Sequence, residues 1–466
     1  MKIKVQGDGR SDQNTYNPFR RLHFYAAWLI TPLLITLTLS GIGYLFFTNV
    51  EKSIYKHEFF GNSSVNTKQS LDEAVQQIRD RYPGFNIEKI SLMEEPYNNR
   101  VTASNADGDS RYIFLDHNNQ MVAEQDAKFT YANVMRNFHS SLFTGSTFVQ
   151  YLVELTACWA VFLIVSGVYM TFKKKLLSRK KDSKKHPLRF QKTHAFLGLV
   201  TAIPLVIIIL TGLPWSVFMG NQISTFAQEH PKFGRTELGI NPPQSDVNEI
   251  PWATRSLDQP ASQPDAHAEH HAHTGAAIPI PNQLSLESVI RNAQNENISR
   301  PFSVVYPSNE QGVFTVSKGS NTGVTGLDVS PNEETTAYFD QYAGNLIARV
   351  NYADYGIIGK WFTWGIPLHE GHLFGIANQM LNLIVCLAFL AAIAAGFISW
   401  MKKIKPGDFN RPKRINKPWS IGAVVTLLIL GILMPLFGLS VLVIFVIETI
   451  VYHSAKNNTQ PHKAAQ

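Results

Sequence analysis

Residues 22–47 read LHFYAAWLITPLLITLTLSGIGYLFF, and this stretch decides the class of fold. It contains no Asp, Glu, Lys or Arg and is longer than the roughly 20 helical residues that cross a hydrocarbon core of about 30 Å. The buried helix of a soluble protein is shorter and carries a polar stripe. Working outward, residues 148–172, 194–219 and 376–401 are apolar runs of similar length, with Glu154 the one charged residue among them. Residues 419–452 form a run too long for one span, with Pro435 and Gly438 in its middle. A tight hairpin of two short helices accounts for it, with one long kinked helix as the alternative. Mean hydropathy close to zero hides these runs, because polar stretches alternate with them.

Charge sets the expected orientation. Residues 1–22, 173–193 and 402–417 sum to +3, +9 and +6, while the whole chain is +7, so the remainder is −11. By the positive-inside rule the basic segments are cytoplasmic, and their charge needs no nucleic-acid partner. This places an N-terminus over 1–21, a loop over 173–193, a loop over 402–418 and a tail over 453–466 in the cytoplasm. The first span is too long for a signal-peptide core and reads as a retained anchor. Cys158 and Cys386 both fall inside spans, which leaves no disulfide framework outside the membrane.

Segments 48–147 and 220–375 then lie on the outer side, and both carry soluble α+β patterning. In the first, Ser70-Leu71-Asp72-Glu73-Ala74 opens a helix with a capping serine and an acidic first turn. Strand-like runs follow at Arg111–Asp116 and Met121–Ala123, around Asn118-Asn119. In the second, Ser285-Leu286-Glu287-Ser288-Val289 opens a helix, and Ala337–Asp340 leads through Ala343-Gly344-Asn345 into Leu346–Ala348. Residues 241–281, rich in Pro, Ala, Gln and His, read as a linker.

The repeat continues into the spans. The first and third begin with His23 and His194 and end in Ser40-Gly41 and Thr211-Gly212. The second and fourth are preceded by His139 and His369 and close with Ser166-Gly167 and Ala395-Gly396, each followed by lysines. Two copies of span, outer domain, span, with an added hairpin, imply a pseudo-twofold axis along the membrane normal. That symmetry puts His23 and His194 at one depth near the cytoplasmic face, and His139 and His369 at one depth near the outer face. Histidines in such positions face the bundle interior, and two neutral imidazoles on facing helices suit the axial positions of a haem iron. The span glycines leave room for a flat macrocycle or a close helix neighbour. His372 lies on the same face as His369 if the helix begins that early, and is a rival ligand or a supporting group.

These motifs resemble the PepSY-associated transmembrane proteins of bacteria, over about Arg21 to the end of the final hairpin. The resemblance rests on Leu22-His23, His139-Ser140-Ser141-Leu142, His194-Ala195-Phe196-Leu197-Gly198, Thr211-Gly212-Leu213-Pro214-Trp215-Ser216 and His369-Glu370-Gly371-His372-Leu373-Phe374-Gly375. It implies a helical membrane bundle with two periplasmic PepSY-like domains, in a multi-pass protein of the bacterial inner membrane. It also implies a b-type cytochrome with two bis-histidine haems that moves electrons across the membrane and reduces ferric siderophores. In the last motif the family's recurring histidine matches His369. Two alternatives come from other classes: a permease component for iron chelates, and a non-catalytic protein whose PepSY domains regulate a partner.

Weaker features complete the inventory. His267, His270, His271 and His273 form an imidazole-rich tract able to capture metal with low selectivity. Glu154 and Glu448 lie within spans and suggest proton handling or a cation partner, although Glu448, close to a span end, reads first as exposed at the interface. Tyr355, Trp361 and Trp364 offer a stacking surface for a chelate or an ordinary aromatic belt. No Gly-x-Gly-x-x-Gly turn, P-loop or Cys-x-x-Cys-His occurs, so electrons are expected from a flavin, flavoprotein or quinol partner, and any haem is held non-covalently.

Overall fold

In lipid every backbone group must be bonded within its own segment, so long apolar runs become helices. The structure, a computed structural model, describes residues 9–177, 189–230, 232–234, 282–307, 309, 311–319, 329–404, 419 and 421–458. In chain order it opens with helices α1 (Gly9–Tyr44), α2 (Phe47–Ile54), α3 (Lys56–Phe60) and α4 (Leu71–Arg81). Strands β1 (Phe85–Leu92), β2 (Asn99–Asn105), β3 (Ser110–Leu115) and β4 (Met121–Asp126) follow. Next come α5 (Tyr131–Ser141), α6 (Thr147–Lys173), α7 (Arg189–Gly212), α8 (Val217–Glu229) and α9 (Leu286–Asn295). Strands β5 (Phe302–Val305), β6 (Val313–Lys318), β7 (Thr335–Asp340) and β8 (Leu346–Asn351) precede α10 (Ile357–Glu370), α11 (Ile376–Met401), α12 (Ile421–Leu433) and α13 (Pro435–Asn458).

Among the described residues, four helices are long and apolar enough to cross a membrane: Pro18–Tyr44, Thr147–Lys173, Arg189–Trp215 and Ile376–Met401. The expected third span over 194–219 is displaced. Helix α7 begins at Arg189 and stops at Gly212, because Leu213-Pro214-Trp215 turns into a 3₁₀ segment before α8 starts at Val217. The first expected span ends early as well. Helix α1 stops at Tyr44, and Phe47 already belongs to α2.

The chain divides into two units, one of Met1–Leu39, Ser140–Gly220 and Leu383–Gln466, the other of Ser40–His139 and Asn221–Asn382. In the first unit, helices meet through close van der Waals packing, the main source of helix association where lipid is as apolar as leucine. Phe19, Leu22, Ala26, Ile30 and Leu34 recur along α1 at helical spacing, among Trp159 and Phe162 of α6 and Phe437 of α13. Trp159 Nε1 donates to Ser440 Oγ at 3.0 Å, and the Arg21 guanidinium pairs with Glu448 at 2.9 Å. The final apolar run breaks at Met434 into α12 and α13. Trp419, ahead of α12, meets Phe445 well inside α13 with ring centroids 5.2 Å apart, so the two helices fold back on each other as a hairpin. Gly431 and Gly438 let the backbones touch, since a Cβ on Gly438 would stand 2.9 Å from the Gly431 carbonyl oxygen.

The second unit corrects the expectation of two separate outer domains. Both segments contribute to one eight-stranded antiparallel sheet, in the order β4-β3-β2-β1-β5-β6-β7-β8. Two four-stranded meanders join where β1 pairs with β5 across Ser91 and Ser303, whose hydroxyls lie 3.1 Å apart. Alternate residues such as Ile90, Val101, Ile113, Val304, Phe314 and Ala337 face α4 and α9 in a single apolar core. Full burial of such side chains contributes about 1.5–3 kcal/mol each. The helices start as the sequence indicates. Ser70 and Glu73 form a capping box on α4, and Ser285 caps α9. Each helix also caps the other: Asp72 accepts from the Leu286 amide at 2.7 Å, and Glu287 accepts from the Leu71 amide at 3.0 Å. Acidic residues read as first-turn dipole partners therefore lock the repeat together.

Candidate functional site

The histidines meet in two pairs, one inside each unit. In the first unit His23 of α1 faces His194 of α7, with ring centroids 6.4 Å apart and ring planes at 84°. His23 Nδ1 lies 2.9 Å from Ser166 Oγ. That hydroxyl donates its hydrogen to the Phe162 carbonyl at 2.7 Å, so it accepts from the imidazole and the Nδ1 carries the proton. His194 Nδ1 lies 2.8 Å from the Ala392 carbonyl oxygen, which can only accept, and the same tautomer follows. Both rings thus keep the Nε2 lone pair for a ligand. An imidazole that donates its second nitrogen to a fixed acceptor is the usual support of a metal-binding histidine.

In the second unit His139, near the end of α5, faces His369 of α10 with ring centroids 6.2 Å apart and planes at 66°. His139 Nδ1 lies 2.9 Å from Ser40 Oγ. The seat is therefore built from α1 in the same manner as the His23 seat from α6.

The small residues of the repeat explain how the rings fit. A Cβ on Gly41 would stand 3.6 Å from His139 Cε1, one on Gly167 3.4 Å from His23 Cε1, and one on Gly396 2.9 Å from His194 Nδ1. The sequence suggests that these glycines make room for a macrocycle or for a neighbouring helix. Each of the three borders an imidazole carried by a neighbouring helix.

The spacing can be compared with that of two imidazoles on one metal. A metal–imidazole bond of about 2.0 Å and about 1.2 Å from nitrogen to ring centre put two axial imidazole centroids about 6.4 Å apart. The observed 6.4 and 6.2 Å fit one iron between each pair. A metal-centred group such as haem would be held by His23 and His194 in one unit and by His139 and His369 in the other, and the spacings are of the size it would require.

The PepSY-associated TM region family matches residues 20–403, which includes all four histidines. The chain belongs to the PepSY-associated TM region family. No curated relative matches it.

Other family-region residues fall elsewhere than expected. Helix α10 ends at Glu370, with Gly371 in the left-handed conformation at φ 87°, so His372 is not on the face of His369. Instead His372 Nε2 pairs with Glu370 at 3.0 Å. Tyr44 OH donates to the other oxygen of Glu370 at 3.2 Å, and Arg136 donates to Tyr44 OH at 2.8 Å. Burial acts to raise the Glu370 pKa. The hydrogen bond and charge of His372, with Arg136 and His369, outweigh it and hold the carboxyl below its ordinary range.

Among the described residues Glu154 has no cation partner in its carboxylate bonds. It accepts from the Phe218 and Met219 amides at 2.8 and 3.0 Å and caps the start of α8, a structural duty. Tyr355, Trp361 and Trp364 do not form a common stacking surface. Tyr355 is buried, with burial and Glu334 raising its pKa, Trp364 donates to Tyr352 OH, and Trp361 is exposed. His267, His270, His271 and His273 lie outside the described residues. Among the described residues no cluster of three or more His, Cys, Asp or Glu is arranged to hold a metal ion.

Sequence reasoning missed the hydrogen-bond seats and the Arg136–Tyr44–Glu370–His372 network. The recurring Ser-Gly pairs were the available signal for the seats: Ser40 and Ser166 each hold a ring, beside Gly41 and Gly167.

Proposed function

We propose that this membrane protein is a haem b oxidoreductase of the bacterial inner membrane that reduces ferric siderophores or similar iron chelates outside the cytoplasm. The observation that supports this reading is the pair of imidazole spacings, 6.4 and 6.2 Å, the size that one iron held by both rings of a pair would require. Bound there, haem supplies reversible one-electron chemistry at a potential that its axial ligands and surroundings tune.

The protein's own contribution is position. Ser166 and Ala392 hold His23 and His194 in the tautomer that presents Nε2, and Ser40 steadies His139. By the charge pattern, His23 and His194 belong to the cytoplasmic side and His139 and His369 to the outer side. A core of about 30 Å is a long gap for one electron transfer, and a site near each face divides it. The donor is a reduced flavin, a flavoprotein docking on the basic loops, or membrane quinol, giving up electrons singly. The acceptor is chelated ferric iron, held by hard oxygen donors that bind ferrous iron far less well, so gain of one electron releases the metal.

Pyridine-haemochrome analysis of purified protein is expected to give two b-type haems per chain. Dithionite-reduced protein is expected to be reoxidised by ferric siderophores, with ferrous iron trapped by a colorimetric chelator. A colourless preparation from haem-replete cells would end the haem reading. Reoxidation by other acceptors but by no ferric chelate would end the iron assignment alone.

A further inference from the structure

The chain breaks its own repeat beside the His139–His369 pair, where Arg136 stands on one side only and its charge acts on Glu370 without a direct ion pair. Arg136 precedes His139 by three residues on α5 and shares its face. The residue in the same place before His369 is Ile366. Arg136 Nη1 reaches Asn133 Oδ1 at 3.3 Å and Nη2 reaches Tyr44 OH at 2.8 Å, both neutral acceptors. Its guanidinium carbon lies 5.7 Å from the Tyr44 ring centre. No carboxylate among the described residues stands within ion-pairing distance of it. The nearby Glu370 already has both oxygens engaged, by Tyr44 and by His372.

Tyr44, which fixes the guanidinium, follows Gly41 by three residues on α1, and Gly41 borders His139. The cation is therefore held one helical turn from the His139 ring, and its side chain retains exposed surface. Arginine presents a planar fork of donors that matches a carboxylate in two bonds. A haem b held by His139 and His369 would carry two propionate carboxylates, the acceptors that such a fork would bind.

The geometry points to Arg136 as the residue that binds a haem propionate at the His139–His369 site and raises the reduction potential there. This rests on the haem reading above. A fixed positive charge stabilises the electron-rich reduced state, and the Ile366 side of the repeat offers no equivalent.

The test is a redox titration of full-length protein in detergent, followed by absorbance, with haem counted per chain, on wild type, Arg136→Gln, Arg136→Lys and Tyr44→Phe. The expected result for Arg136→Gln is a lower midpoint potential or lost occupancy at one haem, with the other unchanged. Arg136→Lys, which keeps the charge and loses the fork, should give a midpoint potential between those of Arg136→Gln and wild type, and Tyr44→Phe should give a smaller shift in the same direction as Arg136→Gln. Both haems at wild-type potential in Arg136→Gln would overturn the proposal. Equal damage from Gln and Lys would overturn it too, by making Arg136 a purely structural residue. A raised KM confined to carboxylate-bearing chelates, with haem content and potentials intact, would assign the carboxylate to the substrate instead. Wild-type protein without haem would sink the haem reading itself, a result distinct from all of these.

Discussion

Gly396→Ala is the smallest change that should unseat the His194 ring. The added Cβ would lie 2.9 Å from His194 Nδ1 and 3.2 Å from its Cγ-opposed Cε1. Comfortable contacts begin near about 3.5 Å, so the imidazole must retreat by about 0.5 Å or α11 must yield. The ring cannot retreat freely, because its Nδ1 is held at 2.8 Å by the Ala392 carbonyl, one turn back on the same helix. Overpacking of this kind costs about 1–3 kcal/mol, and loss of the hydrogen bond adds about 1 kcal/mol. A shift of about 0.5 Å is also a quarter of a metal–nitrogen bond of about 2.0 Å. The same substitution at Gly167 meets His23 at 3.4 Å, and at Gly41 it meets His139 at 3.6 Å. The expected order of damage is therefore Gly396, then Gly167, then Gly41. Haem per chain and midpoint potential, measured on the three alanine variants, read that order. Wild-type values for Gly396→Ala, or greatest damage from Gly41→Ala, would refute the reasoning.

Four further outcomes are expected. His139→Ala or His369→Ala should abolish ferric-chelate reduction while leaving the haem spectrum of the His23–His194 pair, and His372→Ala should keep both haems, as haem counting will show. Deleting residues 265–273 should leave haem content unchanged, since the rings that meet in pairs all lie elsewhere; loss of one haem would mean a misassigned ligand. Glu154→Gln, which removes the charge from two amide contacts at the start of α8, should lower stability by about 1–2 kcal/mol, seen as a reduced Tm in detergent. The depressed Glu370 pKa means its ion pair stabilises the fold above the ordinary carboxylate value of about 4.3 and is lost as pH falls through the lower folded value. Glu370→Gln should flatten the decline in Tm on acidification below about pH 4.3, and an unchanged profile would remove Glu370 from that role.

The spans were legible because their signal is local: uninterrupted apolar length is a property of the segment itself. Their ends were less so. Pro214 sits inside an apolar run, and hydropathy does not register that the backbone turns there. Strands β3, β4, β7 and β8 were likewise visible as short apolar and aromatic runs, while β1, β2, β5 and β6 were not read. That β1 and β5 would pair was not visible, because strand partners at a separation of some two hundred residues leave no mark on either strand's own pattern. The clue was indirect. Asp72 and Glu287 occupy matching places in the repeat, and each caps the helix of the other copy.

The four histidines were legible for a similar reason, since repetition at matching places is stronger than any one histidine. What supports them was not, and the departures from the repeat show why. Where the first copy has Ser166 ahead of Gly167, the second has Ala395 ahead of Gly396 and lacks the hydroxyl. The imidazole of His194 still needs an acceptor at Nδ1, and it takes the Ala392 carbonyl, one turn earlier and nearer the glycine. The clearance falls from 3.4 Å at Gly167 to 2.9 Å at Gly396 in consequence. A backbone carbonyl has no residue type, so no sequence pattern announces it. The repeat thus specifies where each ring stands, while the substitutions within it decide what holds the ring and what charge lies beside it. Those are the quantities that separate the properties of two otherwise equivalent sites.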